Sequence, residues 1–198
     1  MKMYFEKESD FTDFKEELRL RLKKRASRDL GNVGLKHASV MMLIMNKNSA
    51  PHVLLTRRTN TVSTHKGQIS FPGGGMDAAD EDHRAVAYRE TLEEVGVGRE
   101  KIEYIGQFDD YISISGFHVT CFIGAVECPC EYTISRDEIE SIVEAPLSMF
   151  VNQEYDRFEI YNFQGKDYRV FFYYHEGYEI WGLTARILTD FGEKICRD

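Results

Sequence analysis

The sequence predicts an α/β fold, with α+β left open by periodicity alone, and three observations carry that reading. An N-terminal run places Phe11, Phe14, Leu18 and Leu22 at helical spacing. Apolar and aromatic runs of strand length recur through the rest of the chain, and a helical segment between Asp80 or Asp82 and Gly96 interrupts them. With 198 residues and neither a Pro/Ser-rich linker nor an internal repeat, one domain with a sizeable core is expected.

Taken in order, Ser9 or Asp10 can cap a helix over about 11–25, whose basic end, Lys23-Lys24-Arg25, suits a helix C-terminus. Residues 39–45 and 53–56 read as strands joined by a turn through 46–51. Residues 102–108 and Phe117–Val126 read as two more, with Ser115-Gly116 turning the chain before the second. Glu138, Glu140 and Glu144 mark a charged loop, and Leu147–Val151 a short helix. Residues 158–163 and 168–174 form an aromatic hairpin turning at 164–167. A closing helix over about 180–188 places Leu183, Ile187, Leu188 and Phe191 on one face, with Trp181 as its core anchor.

The net charge of −8 argues against a nucleic-acid surface, and it means that an anionic substrate must be met by a local positive site such as a bound metal. The longest apolar run, residues 40–45, is too short to span a bilayer, and the N-terminus lacks the order of a signal peptide. A cytoplasmic protein is expected. Cys121, Cys128, Cys130 and Cys196 form no C-x-x-C pair and no zinc spacing, so reduced thiols are expected.

Chemistry concentrates in residues 71–97, FPGGGMDAADEDHRAVAYRETLEEVGV. Pro72 followed by Gly73, Gly74 and Gly75 predicts an irregular, permissive loop that can approach a ligand closely. In the helix that follows, Glu90, Glu93 and Glu94 fall at i, i+3 and i+4 and share one face. Such like charges repel by a few tenths of a kcal/mol per pair, roughly, in water. The same arrangement suits a divalent cation that needs several hard oxygen ligands, Mg²⁺ or Mn²⁺. Glutamates at this spacing are common on solvated helix faces, and glycines are common in turns; it is the combination that points to a site.

That combination resembles a known one. Gly75, Glu81 and the run Arg89-Glu90-Thr91-Leu92-Glu93-Glu94-Val95-Gly96-Val97 stand at the spacing of the Nudix box of the Nudix hydrolases. Thr91 departs from the bulky aliphatic residue usual there, but Arg-Glu-Thr is frequent in coenzyme A diphosphatase-like members. Upstream, Leu54-Leu55-Thr56-Arg57-Arg58 and His65-Lys66-Gly67-Gln68-Ile69-Ser70-Phe71-Pro72-Gly73-Gly74 resemble the signature of that subfamily. Two positions differ from it: Thr59 replaces serine or alanine, and Ser63 replaces an arginine, which removes a bidentate phosphate ligand. Similarity to the subfamily extends from about Leu54 to Leu188, including residues 111–117, where Cys121 shortly after stands in place of a common proline.

The resemblance implies a Nudix α/β/α sandwich with a central mixed sheet and a loop-helix-loop box, residues 31–198 forming that domain and residues 1–30 a helical segment packed on it. It also implies that Glu90, Glu93, Glu94 and the Gly74 region hold Mg²⁺ or Mn²⁺, that Arg89 orients a helix carboxylate, and that Glu81 braces the loop. Arg58, His65, Gln68, Gly73, Gly74 and Gly75 are the implied substrate contacts, with Arg57 and Lys66 as further candidates, and Glu90 or Glu138 completes proton removal from water. The implied reaction is hydrolysis of the diphosphate of coenzyme A or an acyl derivative. Another nucleoside diphosphate-X such as ADP-ribose or NADH is an alternative, and a non-catalytic nucleotide sensor a further one. The implied partner is a small nucleotide-diphosphate substrate, with no nucleic acid and no membrane; a homodimer is compatible with the fold.

Overall fold

A computed structural model describes residues 1–59, 67–128, 130–163 and 165–197. Its centre is β1 (Lys36–Lys47), which pairs antiparallel with β2 (Ala50–Arg58) on one side and parallel with β6 (Phe117–Val126) on the other. β5 (Glu103–Ile112) lies antiparallel outside β6, while β3 (Ile69–Ser70) and β7 (Ile139–Pro146) both pair antiparallel with β2. One parallel pair among antiparallel ones makes the sheet mixed.

The run Met41-Met42-Leu43-Ile44-Met45 shows why both faces are covered. Successive strand side chains point to opposite faces. Met42 and Ile44 join one apolar cluster with α1 (Ser9–Lys24) and α4 (Gly182–Phe191), through Phe14, Leu18, Ile187 and Leu188. Met41, Leu43 and Met45 join the other with α2 (His83–Val95), through Ala87, Tyr88 and Val95. The layers are therefore α/β/α, as the family resemblance implies, and the α+β alternative left open by periodicity falls away. The short α3 (Leu147–Val151) spans the residues expected of it, and a separate three-stranded sheet joins β8 (Arg157–Phe163), β9 (Lys166–His175) and β10 (Tyr178–Ile180).

Several local expectations are corrected. The expected six-residue turn is a two-residue one: Asn48 and Ser49 both take positive φ, 51° and 61°, and Lys47 pairs with Ala50. Two central residues of positive φ match the twist of a hairpin, and asparagine tolerates that region better than most residues. Gly73–Gly75 is not an irregular loop but a strand, β4, paired antiparallel with Ala38, Ser39 and Val40 of β1. A Cβ at Gly73 would stand 2.4 Å from the Ser39 carbonyl oxygen, so the missing side chain is what admits this pairing. The charged stretch after Glu138 is β7, whose inward residues Ile139, Val143 and Ala145 are buried between glutamates that face outward or sideways.

Neither proposed cap closes α1. The helix starts at Ser9, and Asp10 turns back to accept N–H groups of Glu6 at 2.8 Å and Lys7 at 3.4 Å. Trp181 is only partly buried; it precedes α4 and stacks on Phe172 with ring centroids 5.7 Å apart, while Phe191 and Leu188 fill the core. All four cysteines are free thiols. Among the described residues, no helix is long and apolar enough to cross a membrane.

The segments that follow α1 and α4 are tied to β5 by Asp109, which is 1% exposed. Its carboxylate accepts from Arg25, from the Arg28 N–H at 2.8 Å and from Lys194 at 3.1 Å. Burial pushes this carboxyl up, but Arg25, the Arg28 N–H and Lys194 together outweigh it and hold it below the usual aspartate value. A group with a depressed folded-state value stabilises the fold above its unfolded value, about 3.9, and loses that contribution as pH falls through the folded value. Asp109→Asn should cost about 2–3 kcal/mol in urea unfolding at neutral pH. This lies below the ~3–5 kcal/mol typical of a broken buried pair because Arg25 and Lys194 can regain water. The gap to the parent protein should narrow in acid.

Candidate active site

The site is built where α2 crosses β4. Asp82 starts α2 by accepting the Ala85 N–H at 2.7 Å, and Gly96 ends it at φ 72°, its N–H bonded to the Leu92 carbonyl. Asp82 rather than Asp80 is thus the cap. Thr91 is fully buried, and its hydroxyl donates to the Ala87 carbonyl one turn back at 2.6 Å. This internal bond satisfies the polar group and lets threonine stand where an aliphatic residue is usual.

The three glutamates occupy three environments. Glu94 is 2% exposed, held by the Arg58 guanidinium at 3.0 Å and the Gly73 N–H at 3.3 Å. Glu90 packs against Gly74, where a Cβ would come within 2.4 Å of its carboxylate. Glu93 is exposed. Burial pushes Glu94 up to about 8 despite the opposing pull of Arg58, and Glu90 adds to the rise. Burial likewise raises Glu90, against Arg89. Two desolvated carboxylates with a third beside them form a pocket of negative potential short of positive charge.

Arg89 organises the other side of the site. Its Nη1 donates to Glu90 at 2.7 Å and to Glu93 at 3.1 Å, and its Nη2 donates to the Gly75 carbonyl at 3.0 Å. Nε and Nη2 also grip both oxygens of Asp80, at 3.0 and 2.9 Å, in the two-point geometry open to a guanidinium. Asp80 also accepts the Asp77 N–H at 2.8 Å. Glu81, expected to brace this loop, is exposed and makes no hydrogen bond or ion pair among the described residues; Asp80 has that geometry instead. The nine-residue separation of Asp80 and Arg89 belongs to no helical or strand period, so the pair leaves no periodic signal in the sequence.

Of the three later glutamates, Glu144 is engaged by Lys47 at 2.6 Å and Tyr132 at 2.7 Å, and Glu140 by Arg57 at 2.9 Å. Glu138 alone faces the site, 3.6 Å from Arg58. The Gln68 carbonyl accepts the Arg58 N–H at 3.0 Å, which sets Gln68 beside the same strand. His65, together with Ser63 and Lys66, lies outside the described residues. The structure thus brings together Arg58, Gly73, Gly74, Gly75, Arg89, Glu90, Glu93, Glu94 and Glu138.

Hard carboxylate oxygens on one helix face, two of them desolvated, fit a divalent cation by donor chemistry and by charge. As they stand, the arginines hold these oxygens, and among the described residues no three His, Cys, Asp or Glu side chains converge on one point.

Comparison with known proteins shows the family. The NUDIX domain matches residues 35–173. A protein named uncharacterized Nudix hydrolase NudL in Citrobacter koseri is 35% identical over 161 residues, covering 81% of this chain and 83% of its own. A protein of the same name in Enterobacter sp. strain 638 is 32% identical over 175 residues, covering 88% and 89%. Among solved structures, a C. elegans Ap4A hydrolase in a binary complex superposes with a TM-score of 0.50 at 18% identity, covering 58% of this chain and 83% of its own. This last likeness concerns the fold alone.

The two glycines of β4 should respond differently to the same added methyl group. At Gly73 a Cβ meets backbone atoms of Ser39 and Val40, which cannot yield, so Gly73→Ala should lower the urea midpoint markedly. At Gly74 the three atoms nearest to it are the flexible carboxylate end of Glu90, so Gly74→Ala should keep stability within about 1 kcal/mol of the parent while displacing Glu90 and lowering turnover. Equal losses of stability in both variants would contradict this assignment.

Proposed function

The chain belongs to the Nudix hydrolase family, and from that premise we propose that it hydrolyses the diphosphate of coenzyme A or an acyl-coenzyme A, releasing adenosine 3',5'-bisphosphate and (acyl)phosphopantetheine. The observation that carries this reading is the Arg58–Glu94–Gly73 connection. It joins the strand bearing the Leu54–Arg58 signature to the box helix and the glycine strand, so the subfamily motif and the box form one constellation.

In this reading Glu90, Glu93, Glu94 and the Gly74 backbone would hold Mg²⁺ or Mn²⁺. When bound, the cation neutralises charge on the diphosphate oxygens and lowers the pKa of the attacking water. Arg58 and the Gly73 N–H fix the Glu94 rotamer, while Arg89, itself clamped by Asp80, fixes Glu90 and Glu93. Glu90 or Glu138 accepts the proton that water loses as its oxygen attacks phosphorus. The bridging P–O bond then breaks, and the leaving phosphate keeps the bridging oxygen. Arg58, His65, Gln68 and Gly73 to Gly75 are the proposed substrate contacts.

One specific observation favours a second reading. Ser63 in place of an arginine removes a phosphate ligand, and coenzyme A differs from ADP-ribose and NADH by a ribose phosphate. A sensor role is disfavoured because every box carboxylate is retained.

Initial rates on coenzyme A, dephospho-coenzyme A, ADP-ribose and NADH, with Mg²⁺, Mn²⁺ or chelator, test the proposal. Metal-dependent cleavage favouring coenzyme A is expected, and preference for a substrate lacking the extra phosphate would move specificity to the second reading. Glu94→Gln should lower kcat at least about a hundredfold, equivalent to ~3 kcal/mol of transition-state stabilisation. Undiminished turnover in that variant would remove Glu94 from the cation site.

A further inference from the structure

A second cluster of ligating side chains lies apart from the carboxylates. His37 of β1, His83 at the first position of α2, Asp110 of β5 and His118 of β6 meet at an open cleft of about 460 Å³. Asp110 and His118 are each 3% exposed. The Nε2 of His118 lies 2.7 Å from the Asp110 carboxylate, whose same oxygen accepts the Leu30 N–H at 3.3 Å.

That bond places a proton. A carboxylate oxygen only accepts, so Nε2 carries a proton and Nδ1 is the nitrogen left for another partner. Among the described residues Nδ1 of His118 is occluded and unbonded, as are Nδ1 of His37, Nδ1 of His83 and the second carboxylate oxygen of Asp110. Four such atoms in one place are unusual, because polar atoms removed from water are nearly always paired. The rings are close neighbours, His37 lying 4.7 Å from His83 and 4.7 Å from His118 between centroids.

We propose that His37, His83 and His118, with Asp110 behind His118, form a site for a first-row transition cation of the Zn²⁺, Co²⁺ or Ni²⁺ class, distinct from the carboxylate site. Imidazole nitrogen suits these ions and not the hard Mg²⁺. A histidine whose far nitrogen is bonded to a carboxylate is the usual form of a metal-ligating histidine. The rings are tilted by 37° and 41° and do not yet converge, so ligation takes rotation of His37 and His83 about their broad χ2 torsions into the cleft. The ion would join the start of α2 to three strands of the sheet.

The test is a Co²⁺ titration of the full-length protein in excess Mg²⁺, read by visible d–d absorption. One equivalent with a nitrogen-ligand spectrum is expected, weakened about 10–100-fold in Asp110→Asn, abolished in His83→Ala and unchanged in Glu94→Gln. Absence of that spectrum, its survival in His83→Ala or its loss in Glu94→Gln would overturn the proposal. Histidine ¹⁵N spectra of the unmutated protein during Zn²⁺ addition give a readout independent of any variant's folding. Shifts at Nδ1 of His37, His83 and His118 support the site, and shifts confined to the other histidines refute it.

Discussion

Burying the Glu94 carboxylate is the constraint around which the site is arranged. A carboxyl group at that depth demands hydrogen-bond donors, and it draws them from two directions: the Arg58 guanidinium from β2 and the Gly73 N–H from β4. Meeting that demand fixes how α2 lies on the sheet. Because Arg58 ends β2 and also faces Glu138 at the start of β7, the same charge extends its influence to the far edge of the strand pair. The arrangement keeps two carboxyl groups in a poorly solvated place where burial raises both, so that positive charge brought by a divalent cation would be well received.

Much of this was legible in the sequence, and the reasons for the exceptions are physical. The Glu90-Glu93-Glu94 face and the ends of α2 could be read because helix period and capping are local properties. β6 and α3 could be read because each is an apolar segment bounded by turn residues. β4 was illegible because strand propensity describes side chains, and Gly73 to Gly75 have none; their pairing depends on the close approach of β1. β7 was obscured by glutamates whose partners, Arg57 and Lys47, come from other strands. The pairing of Arg89 with Asp80, next in sequence to Glu81, was illegible because only the folded loop decides which carboxylate meets Arg89. The histidine cluster is the extreme case: its members are spread over four elements and become neighbours only through the parallel register that sets His37 beside His118.

The outer layers have a different logic. α1 brings Phe11, Phe14, Leu18 and Leu22 into the same cluster as α4, so the N-terminal helix is part of the core that supports the sheet from behind. Charge then fastens the periphery. Lys15 and Arg19 both reach Glu103, Arg21 donates to the Ile195 carbonyl at 2.9 Å, and Asp109 gathers Arg25 and Lys194. Where these contacts are exposed, each is worth little by itself; the buried Asp109 is the exception.

The alternation of β1 divides the labour of selection. Residues 42 and 44 share a compartment with helices that carry none of the candidate-site carboxylates, whereas residues 41, 43 and 45 abut the helix that carries three. Drift in the first pair is screened by folding alone. Drift in the second set is screened twice, since a change of volume there that the fold survives still tilts α2 and moves Glu90 and Glu94 relative to β4. Adjacent positions of one strand, equally apolar and equally hidden, are therefore expected to accumulate substitutions at different rates.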